Sequence, residues 1–190
     1  MKRLTNNRGY TLLEILIGLF LTGIIAAGGF EFYATMHNQR IVQEDISDMQ
    51  LNARNSLHEI VKTLRMGGYK IGSHPAFQAS GDSLFVFYSE TQAVDTALYY
   101  LDDYTVSELS RLNESPTGLE PRKLMKKINS DSPAILADYI RTVRYNVIDS
   151  ATVQVALVTQ ASQPDEDFTS NYGYRLYVAT ERVNLRNIAL

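Results

Sequence analysis

The sequence predicts an α+β protein, with one long N-terminal α-helix packed on an antiparallel β-sheet. Three observations carry that expectation. An apolar run fills residues 12–30, a helical stripe of apolar residues comes after it, and the remainder breaks into short β-rich segments separated by turns. The four regions expected are a leader at 1–9, a hydrophobic helix at 10–33, its amphipathic continuation at 34–66 and a β-rich body at 67–190.

The first region, MKRLTNNRG, is polar and basic, with Lys2, Arg3 and Arg8 and no acid. Residues 10–33 (YTLLEILIGLFLTGIIAAGGFEFY) come next, with Glu14 the only charge before Glu31. Residues 12–30 are long enough to cross a hydrocarbon layer roughly 30 Å thick. Basic residues before such a segment place the N-terminus in the cytoplasm and the body on the far side.

Beyond Phe30 the apolar residues Val42, Ile46, Met49, Ala53, Leu57, Ile60 and Leu64 recur at steps of three and four. That is a single stripe on an amphipathic helix. No proline intervenes before Pro75, and the first strong stop is Gly67-Gly68. One helix over 10–66 is expected, roughly 85 Å long at 1.5 Å per residue. The stripe suits a sheet lying against it.

Strands are expected at 84–89, 97–101, 140–148, 152–159 and 174–183, all rich in β-branched and aromatic residues. Residues 107–112 are a weaker strand candidate. Short gaps such as 149–151 favour antiparallel hairpins. Pro116, Gly118, Pro121 and Pro133 bracket a helical turn expected at 122–128, where Arg122, Lys123, Lys126 and Lys127 read as a solvated basic turn.

Composition excludes several function classes. There are no cysteines, so neither disulfides, thiolate metal sites nor a cysteine nucleophile is available. Net charge is −3, and loss of residues 1–9 with their three cations would leave −6. An acidic body argues against general nucleic-acid binding, which rests on basic surfaces. The sequence holds no G-x-S-x-G, no phosphate-cradling glycine loop and no H-E-x-x-H, so catalytic residues, cofactor and metal are all expected to be none. Asp102-Asp103 and the acidic run 165–167 lack a complete calcium-loop pattern and read as solvated turns.

The telling constellation is Gly9-Tyr10-Thr11-Leu12-Leu13-Glu14. A cut after Gly9 would create an α-amino group on Tyr10. On a continuous helix, positions 10 and 14 lie one turn apart on the same face. A carboxylate inside an apolar segment costs on the order of 3 kcal/mol on insertion scales. A nearby ammonium offsets much of that cost, within one molecule or between staggered neighbours, and a mismatched charge stays buried alone. The pair would set register.

The segment GYTLLEILIGLFLTGIIAAGG resembles the class III signal of type IV prepilins and type II secretion pseudopilins. The resemblance implies a pilin-like form of the α+β fold, cleavage between Gly9 and Tyr10 by a membrane aspartyl peptidase, N-methylation of Tyr10, and an assembly role for Glu14. Two departures stand out: the family usually opens with phenylalanine where this chain has Tyr10, and major pilins often carry proline where it has Glu31. In the body, residues 52–54 (NAR), 64–69 (LRMGGY), 99–101 (YYL) and 182–187 (RVNLRN) are similar to PilW-like minor pilins and to pseudopilin J. These likenesses imply a minor pilin that helps initiate, prime or cap a type IV pilus, in the inner membrane before assembly and at the cell surface after it. The implied partners are other minor pilins, the major pilin, the prepilin peptidase and the inner-membrane assembly platform, with no specific nucleic acid. The alternatives are a type II secretion minor pseudopilin, or a secreted or anchored binding domain or enzyme with an ordinary signal sequence. A plain signal cut near 26–28 accommodates Glu14 poorly.

Overall fold

A computed structural model describes residues 11–91, 93–105, 108, 120–165 and 167–187. Helix α1 spans Leu12–Met66 without a break, passing through Glu31 where a proline would have kinked it. It stops where expected. The Gly67 and Tyr69 amides donate to the Leu64 and Met66 carbonyls at 3.0 Å each, and Asn187 Nδ2 donates to the Arg65 carbonyl at 3.2 Å. Gly68 takes φ +82°, and a Cβ there would lie 2.2 Å from the Asn187 carbonyl oxygen. Both the left-handed backbone and the close approach demand glycine.

Two compact units share this helix, Met1–Gln43 and Glu44–Leu190. In the second unit the stripe predicted from sequence is buried from Met49 onward, through Ala53, Leu57, Ile60 and Leu64, with Val61 alongside. Ser56 and Thr63 are buried too, and their hydroxyls donate to the carbonyls of Asn52 and Glu59 one turn back, at 2.6 and 3.1 Å.

The stripe packs on a seven-stranded antiparallel meander in sequence order: β1 (Phe77–Ser80), β2 (Ser83–Tyr88), β3 (Asp95–Asp102), β4 (Arg122–Ile128), β5 (Ala134–Asp149), β6 (Thr152–Gln160) and β7 (Leu176–Asn184). Leu84, Val86, Ala97, Tyr99, Leu124, Ile140, Val143, Val153, Val155 and Leu157 lie on the buried face of these strands and form the core with the helix. Polar ties fix the helix on the sheet. Asp45 accepts bonds from the Ser162 amide and hydroxyl and from the Gln163 amide, the shortest 2.6 Å. Thr159 Oγ1 donates to the Met49 carbonyl at 3.2 Å, and Tyr99 Oη meets Thr63 Oγ1 at 2.7 Å.

Three expectations need correction. Residues 122–128 form strand β4, hydrogen-bonded to β3 and β5 on both sides, and not a helical turn. Its cations are not a solvated turn: Arg122 pairs with Asp82 at 2.9 Å, Lys123 with Glu108 at 3.0 Å and Lys126 with Glu59 at 2.5 Å. Asp165 is buried and bonded to Arg175 at 2.6 Å, which holds its carboxyl below the ordinary carboxylate range. Strand β1 adds to the expected set, and the candidate strand at 107–112 lies, apart from Glu108, outside the described residues.

The sheet also carries a bulge. Pairing slips between β4 and β5, and Tyr139 adopts φ +56°, uncommon for an aromatic residue. Tyr104 braces it: its hydroxyl accepts from the Tyr139 amide at 3.1 Å and donates to Asp138 at 3.0 Å. Burial pushes the Tyr104 hydroxyl pKa up. Lys123 sits 5.3 Å from the Tyr104 ring and donates to Glu108, whose carboxylate also accepts from the Thr105 hydroxyl and amide. Those hydrogen bonds, led by the Thr105 hydroxyl, hold Glu108 down at about 2.

Candidate assembly site in the N-terminal helix

The first half of α1 presents its apolar side chains to its surroundings. Leu12, Leu19, Phe20, Ile25, Phe30 and Phe32 are all strongly exposed, Leu12 at 81% and Phe30 at 74%. This stretch is long and apolar enough to cross a membrane, and none of its most apolar window is buried within the protein. A helix that is greasy all round suits lipid or a bundle of similar helices, not water. Gly18, Gly23, Gly28 and Gly29 leave open space around the backbone, and Thr22 satisfies its hydroxyl internally by donating to the Gly18 carbonyl at 2.8 Å.

Glu14 stands in the first turn of this segment, and the structure gives it a partner that sequence reasoning missed. The Thr11 amide donates to Glu14 Oε2 at 2.8 Å and the Thr11 hydroxyl donates to the same oxygen at 3.2 Å. In return the Glu14 amide donates to Thr11 Oγ1 at 3.3 Å. This reciprocal pair is a capping box, in which residues three apart satisfy amides that a helix start would otherwise leave unbonded. The signal was legible as T-x-x-E in residues 11–14. An acid here is also favoured by the positive end of the helix dipole.

The helix therefore begins at Leu12, after Thr11. Gly9 and Tyr10 themselves lie outside the described residues. Further along, the Tyr33 and His37 rings stack with centroids 6.1 Å apart, just past the apolar run where aromatic side chains commonly mark a membrane interface. Among the described residues no cluster of three or more His, Asp or Glu side chains is placed to hold a metal ion.

No curated protein and no solved structure matches the chain. Residues 4–30, however, match the family model described as Prokaryotic N-terminal methylation motif, a leader motif of the type IV pilin and pseudopilin kind, and the matched span takes in Glu14 and the apolar run 12–30.

Proposed function

We propose that this chain is a structural subunit of a type IV pilus, a minor pilin that helps initiate, prime or cap the filament. The observation that carries the reading is the methylation motif over 4–30, joined to an exposed apolar helix with Glu14 as its one carboxylate before Glu31. In this reading residues 1–9 are a leader removed between Gly9 and Tyr10, and Tyr10 is then N-methylated. Residues 10–33 anchor the precursor in the inner membrane and later enter the filament core, 34–66 continue the helix, and 67–190 form a body displayed outside the cytoplasm.

Glu14 supplies register. Within a bundle of such helices its carboxylate would be left in an apolar setting, and the ammonium of a neighbouring Tyr10 removes that penalty only at one axial offset. The partners that fit are other minor pilins, the major pilin, the prepilin peptidase and the assembly platform. A type II secretion minor pseudopilin uses the same motif and stands as the second reading.

The test is the mature N-terminus, read by mass spectrometry of the membrane and sheared-filament fractions. A product starting at Tyr10 and heavier by one methyl group is the expected result. A product starting near Gly29, or an uncut chain in the filament fraction, would overturn the proposal.

A further inference from the structure

The face of the sheet turned away from α1 carries charge that the fold does not use. Strand register places Arg144 of β5 opposite Ala156 of β6, and Ala156 opposite Thr180 of β7; Arg182 of β7 lies opposite Gln154. The two arginines thus stand two strands and two residues apart on one face, roughly 12 Å between their Cα atoms at standard sheet spacing. Both are exposed, and neither makes an ion pair among the described residues, whereas Arg65, Arg122, Lys123, Lys126 and Arg175 each do. Residues 142, 146, 154, 156, 158, 178 and 180 around them include no carboxylate. In a chain of net charge −3, a strip with two cations and no acid is a local reversal of sign. Apolar surface adjoins it: Val158 and Val178 sit opposite one another on the same face, and Val178 is 60% exposed.

We propose that this face docks an acidic polypeptide segment from another protein, with carboxylates that pair Arg144 and Arg182 and an aliphatic side chain set against Val158 and Val178. Charge complementarity is the argument for the occupant: exposed arginines beside an apolar contact are the composition of interface anchors, and only an acidic partner neutralises both. An extended chain returns to the same face every second residue, so carboxylates four residues apart lie roughly 13 Å apart and match the arginine spacing. Ala156, small and between the two cations, leaves room for such a strand. Nucleic acid is disfavoured, because its binding draws on many phosphate contacts and the chain as a whole repels a polyanion.

The experiment uses the full chain in detergent and a fluorescent peptide of two Glu-Val-Thr-Val-Glu repeats, read by anisotropy, beside the same peptide with lysine for glutamate. The acidic peptide is expected to bind at least about tenfold tighter than the basic one, to lose about tenfold in the double variant R144Q/R182Q and to weaken in about 0.5 M salt. Val178→Ser, which leaves the charges in place, is expected to weaken binding by a smaller factor. Far-UV circular dichroism establishes that each variant is folded. No binding, equal binding of both peptides, indifference to R144Q/R182Q, or tighter binding of a DNA duplex would each overturn the proposal. Self-association of the unliganded chain that R144Q/R182Q abolishes, without peptide binding, would also overturn it and assign the face to a second copy.

Discussion

Leu12, Phe20 and Phe30 in the first half of α1 stand exposed, while Ile60 and Leu64 in its last turns are fully buried. Both halves are regular α-helix; only the distribution of apolar side chains differs. Residues 44–66 concentrate theirs on one stripe, and the chain's own sheet covers that stripe. Residues 12–30 spread theirs around the whole circumference, so no single sheet could cover them. A one-sided stripe is satisfied within the molecule, and an all-round apolar surface is satisfied only by lipid or by other helices. One continuous helix thus has a half that stabilises a body and a half whose partners lie elsewhere.

The sharpest way to break that comparison is to alter each half separately. Glu14→Ala should reduce recovery in sheared filaments by more than about tenfold, as expected for a lost buried charge match of a few kcal/mol. Leader removal and the melting temperature of the body should stay unchanged. Normal incorporation of this variant would count against the register role. The reverse experiment is Leu64→Ala, which removes a side chain with no exposed surface. It should cost the body about 2–5 kcal/mol in urea unfolding while the N-terminus is processed as before.

Acid offers a smaller perturbation confined to the body. Glu108 is held down at about 2, chiefly by the Thr105 hydroxyl and then by the Thr105 amide and Lys123. A depressed folded pKa means that the stabilisation is fully present above the unfolded value of about 4.5 and is lost as pH falls through about 2. Glu59, lowered by its hydrogen bond from Lys126, adds in the same direction. Melting temperature should therefore decline over that window, and Glu108→Gln should make the decline shallower. A decline as steep in the variant as in the parent would mean that other carboxylates dominate.

The smallest effect is expected at Tyr145, whose buried hydroxyl has no hydrogen-bond partner among the described residues. Tyr145→Phe removes that unsatisfied group and keeps the ring. Stability should stay level or rise by up to about 1 kcal/mol, measured by the same urea titration. A loss above that size would reveal a partner for the hydroxyl.

Legibility in the sequence depends on how local each signal is. The apolar run, the stripe and its stop at Gly67-Gly68 are spelled out along a single helix, and the strands rich in Val, Ile, Leu and Tyr announce themselves. Strand β4 does not, because four of its seven residues are cationic, and the partners of Arg122, Lys123 and Lys126, namely Asp82, Glu108 and Glu59, come from three separate segments. Asp165 reads as a solvated turn for the same reason: Arg175 lies ten residues on, across a loop. Strand β1 is only four residues long, two of them polar, and gains its identity from pairing with β2. At the candidate assembly site Glu14 is visible as an acid out of place. Its bond to Thr11 is equally visible as spacing, but the amine that cleavage would create on Tyr10 offers a competing partner, and only the backbone geometry shows where the helix starts.

The tie between Asn187 and the last turn of α1 bears on how the body is made. Its partners are 122 residues apart in sequence, and Thr159 reaches back 110 residues to Met49. During synthesis α1 emerges first, and its sticky stripe waits uncovered until the last strands arrive. Contacts of such long range form slowly. The nascent chain accordingly passes through a stage in which self-adhesion competes with closure, a hazard that a membrane-held start or a chaperone would limit.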